Sequence, residues 1–238
     1  MEKLIYLGLM LGSILFPFIL SFDKKVHFYT RWKHLLPAIF ITLAVFIVWD
    51  VLFTRYGIWS FNKAYVTGLF IIKLPVEEWL FFIIVPYASV FIYEVVDAYW
   101  GEKLFFPRLA RWITILLGIV FILLAIFFHD RIYTLVASLF GLVFIIVQLF
   151  IRSDQTYLSR FYISFLICFV PKFLVNGVLT SLPVVSYNDL ENLGIRLYTI
   201  PVDDFIYFFG LFIMNITLYE GFKKASLPGR LGKSLQEG

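Results

Sequence analysis

The chain has 238 residues, of which 61% are apolar and 15% charged, with a mean hydropathy of +0.90 and a formal net charge of +4. Soluble domains carry about half apolar and about a quarter charged residues, so this composition excludes an ordinary soluble domain and a nucleic-acid binder and points to an all-α integral membrane protein. One cysteine, Cys168, three scattered histidines, His27, His34 and His129, and no Gly-x-Gly-x-x-Gly leave no disulfide, no clustered metal ligands and no flavin or nicotinamide fingerprint, so neither metal nor cofactor is expected.

In chain order, apolar runs predict seven transmembrane helices over 4–20, 35–53, 76–96, 112–128, 132–151, 161–180 and 202–219. The first run has no small-residue cleavage site after it and reads as a retained helix. Two long connections, 56–74 and 181–200, mix turn residues with β-branched and aromatic ones, which suits a short hairpin; a half-inserted loop is the alternative. Aromatic residues reach 21%, more than interfacial belts require, and suit an interior that binds something flat, conjugated or cationic.

The chain writes one segment twice. Pro75-Val76-Glu77-Glu78 returns as Pro201-Val202-Asp203-Asp204 at an offset of 126 residues, and the same offset places Asp50 on Asn176, Thr54 on Thr180, Ser60 on Ser186, Asn62 on Asn188 and Gly68 on Gly194. The repeats are read as 1–98 and 129–222, three helices each, joined by a linker with the fourth helix over 99–128 and followed by a polar basic tail, 223–238. One linker helix returns the chain to its starting side, so both repeats share one orientation about a pseudo-two-fold axis along the membrane normal. Lys and Arg number 13 on the side of the C-terminus and 6 on the other, which puts the C-terminus in the cytoplasm and the N-terminus outside.

The acid pairs are the candidate site. Pro75 suits the first turn of a helix and the acids after it complement the helix dipole; the plain reading is a helix end in interfacial water, but the duplication of the block favours function. Neighbouring helical residues point about 100° apart, so one acid of each pair faces inward. Glu78 shares a stripe with Ser89 and Asp204 with Asn215, while Glu77 with Phe81 and Asp203 with Tyr207, whose hydroxyl is one turn from the acid, compete. Asp50 and Asn176 stand at matched span ends as anchors for the acids or as helix contacts. Lys172 lies on one face with Asn176 and Thr180 and wants a carboxylate partner or snorkels. Arg196 is a candidate partner that would keep one acid ionised, or a solvated loop charge, and Glu94 and Glu220 are expected to meet interfacial water and the basic loops rather than substrate.

Trp49-Asp50, Gly57-x-Trp59-x-Phe61-Asn62, Gly68 and Pro75-Val76-Glu77-Glu78, with Asn176-Gly177, Pro183-Val184-Val185-x-Tyr187-Asn188, Gly194-Ile195-Arg196 and Thr199-Ile200-Pro201-Val202-Asp203-Asp204, resemble the lycopene cyclase domain repeated, in the fused form of the heterodimeric-type membrane carotenoid cyclases. The resemblance implies redox-neutral, cofactor-free cyclisation of the ψ-ends of lycopene to γ-carotene and then β-carotene. It implies Glu77, Glu78, Asp203 and Asp204 as catalytic acids, with Asp50, Asn62, Lys172, Asn176, Tyr187, Asn188, Arg196 and Tyr207 in binding or supporting places, and contact with other carotenoid-pathway enzymes. The second motif departs from the family in beginning with Asp rather than Glu, which shortens its reach. The rivals are a seven-helix retinal-binding or transport protein, for which the seventh helix lacks a lysine between Phe205 and Tyr219, and a membrane prenyltransferase, for which Asp203-Asp204 lacks a third nearby Asp.

Overall fold

The computed structural model describes residues 2–101, 106–151 and 156–226; most of the expected basic tail, with Arg230 and Lys233, and part of the linker lie outside the described residues. Seven helices are long and apolar enough to cross a membrane: α1 (Ile5–Leu20), α2 (Trp32–Arg55), α3 (Val76–Trp100), α4 (Pro107–Phe127), α5 (Ile132–Ile146, continued by a π-helical turn, Val147–Ile151), α6 (Thr156–Ser181) and α7 (Asp203–Ala225). Most run a few residues past the apolar stretches that predict them, into polar end turns. The helices α2, α3 and α7 form the centre, α1 packs on α3, α5 on α7, and α4 lies against α5 and α6.

The repeats coincide in backbone detail. Each connection folds into the short two-stranded hairpin that its sequence suits, β2 (Phe70–Ile71) with β3 (Leu74–Pro75) and β5 (Arg196–Leu197) with β6 (Ile200–Pro201). The glycine opening each hairpin, Gly68 at φ 92° and Gly194 at φ 71°, occupies the left-handed region that other residues avoid, which is why the pair recurs in register. Val76 N donates to Leu69 O and Val202 N to Ile195 O, both at 2.9 Å, tying each hairpin to its acidic helix. Pro75 stands one place before the expected first turn, as the N-cap residue of α3.

Two contacts mark the pseudo-two-fold axis. The strands β1 (Trp59–Phe61) and β4 (Val185–Tyr187), one from each repeat, pair antiparallel with Ser60 opposite Ser186, its own equivalent. At the other end of the bundle, Tyr219 donates to Glu94 at 2.7 Å and Tyr93 to Glu220 at 2.9 Å, a reciprocal exchange between the repeats. Glu94 and Glu220 are 4% and 6% exposed, so they are shielded from the interfacial water that the sequence suggests but do meet the basic residues that it also suggests. Lys223 bridges them at 2.9 and 3.4 Å and Arg31 approaches Glu94 at 3.8 Å, supplying the partners that buried carboxylates require.

Candidate active site

The hairpins deliver α3 and α7 to the same depth, so their first turns face each other across the axis. Glu78 and Asp204 line one cavity of about 50 Å³, together with Asp50, Lys172, Asn176 and the rings of Trp59, Phe61, Phe81, Tyr133, Tyr187 and Tyr207. Glu77 and Asp203, fully buried, turn the other way and tie the connection to the helix: Glu77 Oε1 accepts from Thr67 N at 2.7 Å and Asp203 Oδ2 from Leu193 N at 3.1 Å, matched residues in the two repeats. Asp203 Oδ1 also accepts from the Thr134 hydroxyl, whereas Glu77 Oε2 has no partner among the described residues.

The two inward acids sit in different company. Tyr6 of α1 donates to Glu78 Oε2 at 2.6 Å, and Tyr133 of α5 donates to Asp204 Oδ1 at 2.6 Å. Beyond this shared tyrosine, Asp204 Oδ2 accepts from Asn176 Nδ2 and from the Tyr187 hydroxyl, each at 2.8 Å, with Lys172 Nζ at 3.9 Å. Glu78 instead shares the cavity with a second carboxyl, Asp50, to whose Oδ1 Tyr207 donates at 2.6 Å. The first repeat therefore sets its inward acid beside another carboxyl, and the second surrounds its inward acid with donors. Burial, and then the charge of Asp204, pushes the Tyr187 hydroxyl well above its ordinary value, so it remains a donor at any physiological pH.

The supporting residues divide. Lys172 pairs with Asp204 inside the bundle rather than snorkelling, its side chain 7% exposed. Tyr207 reaches Asp50, not Asp203 one turn away as the sequence suggests. Arg196 is a correction: it bonds the Asp189 carboxylate and Thr199 O at the surface, and has no contact with either acid pair. Burial raises Asp189, but the hydrogen bonds from Arg196 and Asn192 together with the guanidinium charge outweigh it and hold that carboxyl below the usual range. Asn62 and Asn188 are also outside the cavity. Each closes a turn, accepting from Ala64 N at 3.0 Å and Leu190 N at 3.1 Å, while Asn62 N and Asn188 N bond Val184 O and Ile58 O across the axis, both at 2.9 Å. Ser89 and Asn215 lie deeper; Asn215 bonds Thr42 at 3.2 Å.

Tyr6, Tyr133 and Thr134 were not legible as site residues. At an offset of 126, Tyr6 falls on Ile132; only a shift of one residue aligns it with Tyr133, and nothing in the apolar first and fifth spans signals that shift. Around the acids the rings form a continuous wall: Trp59 meets Tyr133 edge-on with centroids 5.2 Å apart, Tyr133 stacks on Tyr187 at 6.2 Å, and Tyr207 lies 5.9 Å from Trp59. Such faces attract cations through the ring quadrupole, so the cavity joins three carboxyls with a wall suited to a cation.

No curated protein and no solved structure matches the chain. The family model for lycopene cyclase matches residues 3–96 and again 130–222, one match on each repeat. The chain belongs to the lycopene cyclase family, membrane enzymes of carotenoid cyclisation.

Proposed function

We propose that the chain converts the ψ-end groups of lycopene to β-rings, giving γ-carotene and then β-carotene, by intramolecular acid catalysis. The observation that carries this reading is the unequal pair of carboxyls in one aromatic cavity: Glu78 beside the Asp50 carboxyl, and Asp204 facing Asn176, Tyr133, Tyr187 and Lys172. Glu78 gives its proton to the terminal double bond. The internal double bond attacks the tertiary cation so formed and closes the ring, and the Glu78–Asp50 pair takes a ring proton back. One proton enters and one leaves, so product and substrate are isomers and no redox change is required. Asp204 remains anionic and steadies the cation with the surrounding rings, a charge-stabilising role fixed in place before reaction. Glu77 and Asp203 brace the connections.

The excess of Lys and Arg on one side supports a C-terminus in the cytoplasm and a cavity near the outer surface. Reporter fusions at the C-terminus and in the loop holding Gly68 are expected on opposite sides, and finding them together would remove that orientation. The activity is tested by expressing the protein in lycopene-accumulating bacteria and separating the pigments. Cyclised carotenes are expected; unchanged lycopene with the protein present in the membrane would overturn the reading.

A further inference from the structure

Below the polar cavity lies a second, larger one of about 280 Å³ between α1, α3 and α6. It is lined by apolar side chains such as Val85, Ala88 and Val175, and it borders the lipid-facing surface of α1 at Gly12 and Phe16, the latter 69% exposed. Phe81, Lys172 and Asn176 line both cavities, so the two share a wall that ends at Asp204. A pseudo-two-fold molecule should hold a second copy of this cavity between α5, α7 and α2. It is filled instead. The counterpart of Lys172 is Phe46 and that of Val175 is Trp49, and Ser13 corresponds to Phe140 in the register that aligns Tyr6 with Tyr133. Phe140 lies 5.2 Å from both the Phe46 and Trp49 rings, centroid to centroid, and is seated in the notch at Gly210, where an added Cβ would come within 2.9 Å of it. Three bulky rings thus stand where the first repeat keeps a channel.

We propose that the α1–α3–α6 cavity holds the polyene chain of the substrate, admitted sideways from the lipid with its end reaching Glu78 and Asp204, and that the aromatic plug between α5, α7 and α2 leaves the protein one such path. This rests on the cyclase reading and adds to it where the substrate lies. The volume is at the lower edge of small-molecule pockets, so it takes one end of a long carotenoid while the remainder stays in the membrane. A single path also means that the two ends of one carotenoid are treated in separate visits, with the half-cyclised molecule leaving before it returns reversed.

The test uses the full-length protein in lipid nanodiscs with lycopene as probe. Nothing lies within 4 Å of a Cβ built on Gly12, so Gly12→Phe starts from open space at the cavity wall; Ala88→Phe is the second filling variant, and Leu116→Phe on the exposed face of α4 is the control. Both filling variants are expected to lower co-purifying lycopene and cyclised product at least about tenfold at equal protein level, with the control unchanged. Full binding and turnover in both overturns the proposal, as does a cavity found holding acyl lipid while lycopene conversion is undisturbed by filling it. A wild-type protein that neither binds nor cyclises lycopene refutes the cyclase reading itself. In a time course, free monocyclic carotene is expected to exceed the enzyme before any bicyclic product; bicyclic product from the outset would overturn the single path.

Discussion

The two repeats share a backbone and differ in chemistry. Asp50 and Phe81 in the first are Asn176 and Tyr207 in the second, and Phe46 and Phe61 are Lys172 and Tyr187. One of these differences is read by the opposite half, since Tyr207 of the second repeat serves Asp50 of the first, while the other three act on Asp204 within the second repeat itself. The changes are correlated. Where the span-end residue is an acid, the ring opposite has a hydroxyl to donate; where it is an amide, the ring is plain phenylalanine. Lys172, Tyr187 and Asn176 all converge on Asp204, leaving Glu78 with Tyr6 and another carboxyl. Duplication supplies two equivalent acids, and a few substitutions then give them different company, on which the proposed division of duties rests. Two carboxyls with the same company would both hold or both lose a proton; environments that differ divide acid from stabiliser.

The sharpest way to break this comparison is to remove the proton and the charge in turn. Glu78→Gln is expected to abolish cyclisation, a loss of about a thousandfold or more, within the range that general acids supply. Asp204→Asn keeps the shape but loses the anion and should retain slow turnover, roughly a hundredfold below wild type. Pigment chromatography with protein level fixed by immunoblot reads both, and an Asp204→Asn variant deader than Glu78→Gln would exchange the two roles.

Making one repeat resemble the other sharpens it further. Tyr207→Phe gives the second repeat the ring that the first already has and leaves Asp50 without its donor. A lost hydrogen bond to a charged or shared carboxyl is worth about 1.5–3 kcal/mol, so turnover should fall about tenfold or somewhat more with kcat affected rather than KM. The same change in stability without loss of rate would mean that Asp50 is a helix contact alone.

The outward acids should respond in stability rather than rate. Asp203→Asn disturbs two buried hydrogen bonds, from Thr134 and Leu193, and is expected to cost roughly 1–3 kcal/mol in thermal unfolding, while Glu77→Gln, with one backbone donor, costs less. Turnover per folded molecule should stay near wild type in both; a rate loss as large as that of Glu78→Gln would move the proton source to the outward acid. The smallest effect is expected from Arg196→Ala, which breaks a surface pair with Asp189 worth less than about 1 kcal/mol. A strong loss of activity there would restore Arg196 to the site.

By itself the sequence determined the helix count, the two parallel repeats and the acid blocks, because lipid demands long apolar runs and a duplication of Pro, Gly, Asn and acids survives in register where Leu and Ile drift. It also located Asp50, Lys172, Asn176 and Tyr207 as polar residues inside spans, since such residues are costly in lipid and stand out. Their partners were another matter. Tyr207 lies one turn from Asp203 along the chain but reaches Asp50, 157 residues away, and Arg196, close to the acids in sequence, turns to the surface. Tyr6 and Tyr133 look like ordinary interfacial tyrosines until the hairpins set the depth of α3 and α7. Tertiary structure alone decided these, and the burial of Glu94 and Glu220, because the crossing of helices at the axis sets which side chains meet, and a helical period specifies a face without naming the neighbour packed against it.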